Sequence, residues 1–308
     1  MDTDRIYDSV ILGGGPAGYT AALYCARAGL DVITAEKYSA GGQMTRTAQI
    51  DNYPGFDEGI DGFELGEKMK RGAERFGAQT IRAEVKSVSL KEPIKLVRTD
   101  EGLLKAKTVI IALGADYRKL GVPREEELTG RGVGYCAACD GMFYRSKTAA
   151  VVGGGNSAAS SALILSRICS RVILIHRRGE LKADEVYRRA LQQAGNVEFV
   201  WNSTVEALNG ADKLEGVTVR QADGQARDIE CQGLFVCVGR MPSSGLLVGQ
   251  IELDRAGYII ADETTRTNIP GVFAAGDIRT KDVRQIVTAA ADGAAAAHFA
   301  EKYIADSN

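Results

Sequence analysis

Twice along this chain a short apolar strand runs into a triple glycine and then into a stretch of helical composition. The first passage is Ser9-Val10-Ile11-Leu12, then Gly13-Gly14-Gly15-Pro16-Ala17-Gly18, then a helix predicted over 19–28. The second is Ala149-Ala150-Val151-Val152, then Gly153-Gly154-Gly155-Asn156-Ser157-Ala158, with a helix predicted to about residue 168. Each helix hands on to another apolar strand, Val32-Ile33-Thr34-Ala35 in one case and Val172-Ile173-Leu174-Ile175 in the other. Few architectures accept two such strand–turn–helix–strand openings, because parallel neighbours need a crossover and the crossover has a fixed hand. The expectation is an α/β fold of two Rossmann-like dinucleotide-binding domains, each a three-layer ββα arrangement.

The repetition extends beyond the two openings. Alternating, turn-broken segments over 80–107 and 197–231 suit small antiparallel meanders, and each unit closes on an apolar strand ending in glycine, at Gly114 and at Gly239. The tail starts no third unit. Tyr258-Ile259-Ile260 and Gly271-Val272-Phe273-Ala274-Ala275 read as strands, followed by an Ala-rich helix from about 285 to 304. Too short for a core of its own, it is expected to complete the first domain. The second domain is then an insertion: residues 1–117 plus 249–308 form one domain and 118–248 the other, with crossings near Tyr117–Gly121 and Met241–Gly249. Two thin crossings make a natural hinge.

The two glycine turns differ at the end of the strand after the helix. Glu36 and His176 stand at the same distance from their first glycines, Gly13 and Gly153. Glu36 can accept hydrogen bonds from both hydroxyls of an unmodified ribose and would repel a 2′-phosphate. The second site instead carries His176-Arg177-Arg178 with Lys182 beyond, a basic cluster suited to the 2′-phosphate of NADPH; read blandly, it is a solvated charged turn. The first site should hold a different adenosine nucleotide, for which FAD is the natural candidate. In both, glycine lets the backbone and a helix start approach a pyrophosphate.

Between the closing strand of the first unit and the second turn lies Cys136-Ala137-Ala138-Cys139-Asp140. A two-residue gap brings both sulfurs into bonding range, so the pair can cycle between dithiol and disulfide. Zinc is the competing reading, but no second close cysteine pair exists and the only histidines are His176 and His298. Cys25, Cys169 and Cys237 fall in apolar patterns that suit inert buried thiols, and Cys231 lies on the way into the strand holding Cys237. A net charge of −2 gives no electrostatic reason to expect nucleic acid or an anionic membrane as partner. No apolar run approaches the ~20 residues that span a bilayer. The start, Met1-Asp2-Thr3-Asp4-Arg5, shows no secretory signal, so the expected location is cytoplasmic.

With these residues in hand, the chain closely resembles the low-molecular-weight bacterial thioredoxin reductases. The resemblance runs in order along essentially the whole length: Gly13 to Gly18, Gly41-Gly42-Gln43, Asn52-Tyr53-Pro54-Gly55, Cys136 to Gly141, Gly153 to Ala158, His176-Arg177-Arg178, Gly271 to Asp277, and Arg284-Gln285. It implies FAD in the split domain, NADPH in the inserted one, thioredoxin or a thioredoxin-like protein as partner, and a homodimer. Carried over by position, Gly13, Gly15, Pro16, Ala17, Gly18, Glu36, Gly42, Gln43 and Asn52 belong to the flavin site. Gly276 and Asp277 then lie on the ribityl side, with Arg284, Gln285 and Ile286 towards the ring. Asp277 also reads as a helix N-cap and Asn52 as a turn residue. Gly153, Gly155, Asn156, Ser157, Ala158, His176, Arg177, Arg178 and Lys182 belong to the NADPH site. The resemblance assigns Cys139 to the flavin side and Cys136 to attack on the partner, and Asp140 looks like the acid/base that serves the leaving thiol.

Three departures stand out: Lys182 where the family usually has arginine, Ser243-Ser244 where asparagine-threonine is common, and Met142 in place of a frequent phenylalanine. Other readings stay open. An alkyl hydroperoxide reductase flavoprotein would need an added thiol-relay region, a dithiol oxidase tends to lose the basic cluster, and a ferredoxin-type NADP reductase would lack the cysteine pair. A non-catalytic redox sensor that binds NADPH would not turn over.

Overall fold

The computed structural model describes residues 5–47 and 49–307; the acidic start at 1–4 lies outside the described residues. The chain divides into two compact units, Met1–Asp116 with Met241–Asn308, and Tyr117–Arg240. The return crossing at Arg240–Met241 comes earlier than the 248/249 boundary read from sequence, because Leu247 and Ile251 are buried in the core of the first unit. The two crossing segments, Ala115–Tyr117 and Arg240–Pro242, pair with each other as a two-stranded ribbon.

In the first unit a parallel sheet runs in the order Gln79–Arg82, Val32–Glu36, Ile6–Leu12 and Gly102–Ile111, and Val272–Ala274 pairs with the last of these. The second half of Ile6–Leu12 is covered on both faces, which is why Val10-Ile11-Leu12 reads as an unbroken apolar run. Val10 and Leu12 enter one core beneath the meander Val85–Ser89, Lys95–Thr99 and Gly102–Ile111. Ile11 enters the other, under the helices Pro16–Arg27 and Ile286–Ser307. Gly293 lets those helices touch: a Cβ there would stand 2.2 Å from the Ala17 carbonyl oxygen. That contact brings the last helix of the chain against the first.

The second unit repeats the plan. Val197–Val200, Arg171–Ile175, Thr148–Gly153, Gly233–Cys237 and Val133–Gly134 form its parallel sheet. Ala150 and Val152 face the core under the antiparallel sheet Ser203–Asn209, Gly216–Gln221 and Ala226–Glu230, whereas Ala149 and Val151 face the helix Asn156–Ser166. Burying Phe235 almost completely (1% exposed) makes its truncation to alanine cost about 3–5 kcal/mol.

In both units the meander begins one strand later than the sequence predicts. Gln79–Arg82 and Val197–Val200 join the parallel sheets as edge strands and are partly exposed, so they alternate like meander strands instead of running apolar. The predicted strand at Tyr258–Ile260 is not formed: Ile259 makes isolated bridges to Leu253 and Arg279 only. No helix among the described residues is long and apolar enough to cross a membrane.

Candidate active site

The first glycine turn leaves an open helix start. Gly15 caps the helix Pro16–Arg27 with no side-chain bond and no acidic residue in the first turn, whereas Asp61 caps Gly62–Glu74 by accepting from the Glu64 amide. Gly13, at φ +100°, must be glycine, since a Cβ would meet the Ala112 carbonyl oxygen at 2.5 Å. Gly15 is different. Its φ of −80° suits any residue and a Cβ would find no protein atom within 4 Å, so no protein contact requires glycine there. A pyrophosphate drawn against the bare amides of the helix would, which is the fit expected for a dinucleotide.

Of the residues predicted for this site, Glu36, Gly42 and Gly276 lie against that turn. The Gly14 amide donates to Glu36 Oε2 at 2.5 Å and the Tyr38 amide to Oε1 at 2.9 Å, fixing the Glu36 carboxylate beside it. Gly42 packs on Gly15, where a Cβ would come within 3.3 Å of the Gly15 Cα. Gln43 Nε2 donates to the Ala115 carbonyl, and Asn52 Nδ2 donates to Gln285 Oε1 at 3.2 Å. Gly276, at φ +79°, touches Ala17, so Asp277 arrives beside the helix start; Asp277 lies inside a short 3₁₀ turn, Gly276–Ile278, and does not cap the long helix, which begins at Ile286. Arg284 stacks over the Tyr258 ring at 4.3 Å, and Ile286 packs on Met44, Ile50, Ile60 and Leu65.

A network beneath the Gly276 turn escapes sequence reading. Buried Asp292 accepts from the Gly276 amide at 2.8 Å, from buried Arg279 through two nitrogens at 2.9 and 2.8 Å, and from Lys281 at 2.9 Å. Both cations lower the Asp292 pKa against the opposing effect of its burial, which is the larger single influence. A sequence signal for it exists: Asp292 interrupts the run Ala289–Ala297 of the last helix, and a carboxylate among so many alanines has to find a partner.

The second turn has the same opening. Gly155 caps Asn156–Ser166 at φ −96° with no side-chain bond, no acid in the first turn and no atom within 4 Å of a Cβ. Asn156 and Asp184 exchange two hydrogen bonds of 2.8 Å, and the Lys182 amide donates to the Gly154 carbonyl at 2.7 Å, folding the basic loop back on the turn. His176 departs from the cluster predicted for it. It is buried with its ring against Gly154, and burial, reinforced by Arg177 and Arg178, pushes its pKa down. The imidazole is therefore neutral at pH 7, and the positive charge belongs to Arg177, Arg178 and Lys182. These three are exposed and form no ion pair among the described residues, while Arg188 and Arg189 on the next helix are both tied to Glu185.

Cys136 and Cys139 form a disulfide with their Cα atoms 5.3 Å apart. Cys136 caps the short helix Ala137–Asp140, and its carbonyl accepts from the amides of Cys139 and Asp140 at 3.2 and 3.0 Å. Burial pushes the Asp140 carboxyl up to about 6. Between the unfolded value near 3.8 and about 6 the folded protein binds the extra proton, so this group's contribution to stability falls as pH rises through that window. Asp140→Asn is accordingly expected to stabilise the protein at pH 8 by on the order of 2 kcal/mol, seen as a higher melting temperature, and to leave it unchanged near pH 4. Thermal melts of both proteins across this range check it; equal melting temperatures at pH 8 would contradict it.

Residues 7–293 match the family described as pyridine nucleotide-disulphide oxidoreductase. The chain is 44% identical to a thioredoxin reductase of Listeria monocytogenes over 98% of its own length and 95% of that protein. It is 43% identical, over 98% of its length and 67% of the relative, to a bifunctional thioredoxin reductase/thioredoxin of Mycobacterium leprae. The crystal structure of thioredoxin reductase from Streptococcus pyogenes superposes with a TM-score of 0.91 at 42% identity, covering 99% of this chain and 100% of that one.

Proposed function

The chain belongs to the pyridine nucleotide-disulphide oxidoreductases and, within them, to the thioredoxin reductases, and from that premise we propose that it passes electrons from NADPH, by way of FAD, to the Cys136–Cys139 disulfide and on to oxidised thioredoxin. One observation carries the reading: a single unit holds a redox-spaced disulfide, a part-buried carboxyl beside it, and an open glycine turn followed by arginines that form no ion pair among the described residues. The M. leprae relative, named for both activities, supports thioredoxin as the partner.

FAD would be held at the Gly13–Gly18 turn with Glu36, Gln43, Asn52 and Asp277 around it; NADPH at Gly153–Ala158, with Arg177, Arg178 and Lys182 taking its 2′-phosphate. Bound there, the two groups supply an electron pair at the potential that a protein disulfide requires. The chain's own residues do the rest. The Cys136–Cys139 bond accepts two electrons and breaks. The Cys136 thiolate then attacks one sulfur of the thioredoxin disulfide, whose other sulfur leaves as a thiolate. Cys139 attacks the Cys136 sulfur of this mixed disulfide, which re-forms the internal bond and releases dithiol thioredoxin. Asp140, with its pKa near 6, gives and takes the proton of the sulfur that departs.

The disulfide and the nicotinamide-side turn lie on the same unit between two crossings, and both have to serve one flavin. Rotation of that unit about the crossings presents them in turn. The resemblance further supports a homodimer working in the cytoplasm, and sedimentation velocity tests the dimer. The function is tested by rapid mixing: NADPH should bleach the yellow protein, and oxidised thioredoxin should restore its colour with turnover. A bleached protein that thioredoxin leaves colourless would end this reading.

A further inference from the structure

Tyr135, the residue before the redox pair, anchors more than its own strand. Val133–Gly134, from which it emerges, pairs in the sheet as Val133↔Leu234 and Gly134↔Phe235, and Val133 also bridges Thr129. The side chain of Tyr135 ties this short strand to the crossing as well. Its hydroxyl donates to Glu125 Oε1 at 2.9 Å, and its ring stacks on Tyr117 with centroids 5.1 Å apart and planes 24° from parallel. Glu125 is buried, and besides Tyr135 it accepts from the amides of Leu120 and Gly121, each at 2.9 Å.

Both ends of this chain of contacts fall on the crossings. Tyr117 ends the strand Ala115–Tyr117, and Arg240 begins Arg240–Pro242. Arg240 donates to the Tyr117 hydroxyl at 3.0 Å and its guanidinium lies over the same ring, 4.4 Å from the centroid. Leu120 and Gly121 belong to the segment that leaves the first crossing. A continuous path thus runs Arg240–Tyr117–Tyr135–Glu125, wholly within the second unit, from both crossing strands to the residue beside Cys136.

We propose that Tyr135 is a positioning residue that makes the crossing strands and the redox disulfide one rigid body, so that movement at the hinge arrives undiminished at Cys136. The inference rests on the reading of this protein as a thioredoxin reductase whose second unit rotates. Without the ring and its hydroxyl, the crossings still turn, but the short strand before Cys136 absorbs part of the motion and the sulfurs reach their working position less often. Neither the second glycine turn nor its arginines touch this path, so the nicotinamide side is left as it was.

Two reactions of the FAD-loaded protein separate these effects. Transfer from NADPH to the thionicotinamide analogue of NADP⁺ needs the nicotinamide side alone, whereas reduction of thioredoxin needs both sides in turn. In Tyr135→Leu, which removes ring and hydroxyl, kcat for thioredoxin is expected to fall about ten-fold with KM values and transhydrogenation unchanged. Tyr135→Phe, which keeps the stacking, should recover most of this and lose about three-fold. Hydrogen exchange, read without cofactor, should rise at the Leu120 and Gly121 amides in Tyr135→Leu more than in Tyr135→Phe. A parallel fall in both reactions, unchanged kcat for thioredoxin in both variants, or unaltered exchange would each overturn the proposal. Wild-type protein that transhydrogenates but does not reduce thioredoxin would remove the functional reading and this inference together; normal wild-type turnover with silent variants removes the inference alone.

Discussion

Serine at either position of the cysteine pair is expected to reduce thioredoxin turnover by more than about a thousand-fold while leaving bleaching by NADPH intact. The reason is chemical. A hydroxyl cannot form the internal bond that accepts the electron pair, and at pH 7 it is too weakly acidic to attack a disulfide. Neither sulfur bonds to the turns proposed to hold the cofactors, Gly13–Gly18 and Gly153–Ala158; the two are bonded to each other at the short helix Ala137–Asp140, and serine is nearly the same size. The two variants should differ in one respect. Cys139→Ser keeps the attacking thiol and loses the resolving one, so the reduced protein should trap its oxidised partner as a stable mixed disulfide. Cys136→Ser should trap far less. Mass spectrometry of the mixtures distinguishes them, and trapping by Cys136→Ser instead would reverse the roles assigned to the two sulfurs.

The second large effect concerns the choice of nicotinamide. Replacing both Arg177 and Arg178 by alanine is expected to raise KM for NADPH by about a hundred-fold and to leave KM for NADH nearly unchanged. In the proposed site each guanidinium would make charge-assisted bonds to a 2′-phosphate that NADH lacks, and each such contact contributes about 1.5 kcal/mol or more. Lys182 remains as a compact point charge, which limits the loss. His176 offers no substitute, because it is buried and neutral beside Gly154. The wild-type preference should weaken at high salt, since all three cations are exposed. Steady-state kinetics with both nucleotides at two ionic strengths check this; an equal rise for NADH would place the arginines elsewhere than at the phosphate.

Much of the fold is legible in the residues themselves. Strand segments buried on both faces, Val10–Leu12 and Ala149–Val152, announce themselves as unbroken apolar runs, and glycine turns stand out because nothing else fits at Gly13. Gln79–Arg82 and Val197–Val200 mislead because an edge strand of a parallel sheet alternates like a meander strand once one side meets water. Tyr258–Ile260 has strand composition, but only Ile259 finds bridging partners. Charge is the least legible property. His176 sits in a basic triplet and yet packs as an uncharged ring, and Asp292 sits in an alanine helix and yet gathers two cations, because burial and distant partners decide both. Glu125 and Tyr135 give no signal at all, since their link is made by the tertiary fold.

Order of synthesis gives the split of the first unit a further meaning. The strand Gly102–Ile111 pairs with Val272–Ala274, whose residues leave the ribosome only after the whole of Tyr117–Arg240. The inserted unit is thus complete while its host still shows water an unpaired edge at Val109–Ile111 and lacks the Gly276 turn. Nascent protein passes through a stage in which one glycine turn has its whole unit around it and the other still lacks its closing strand.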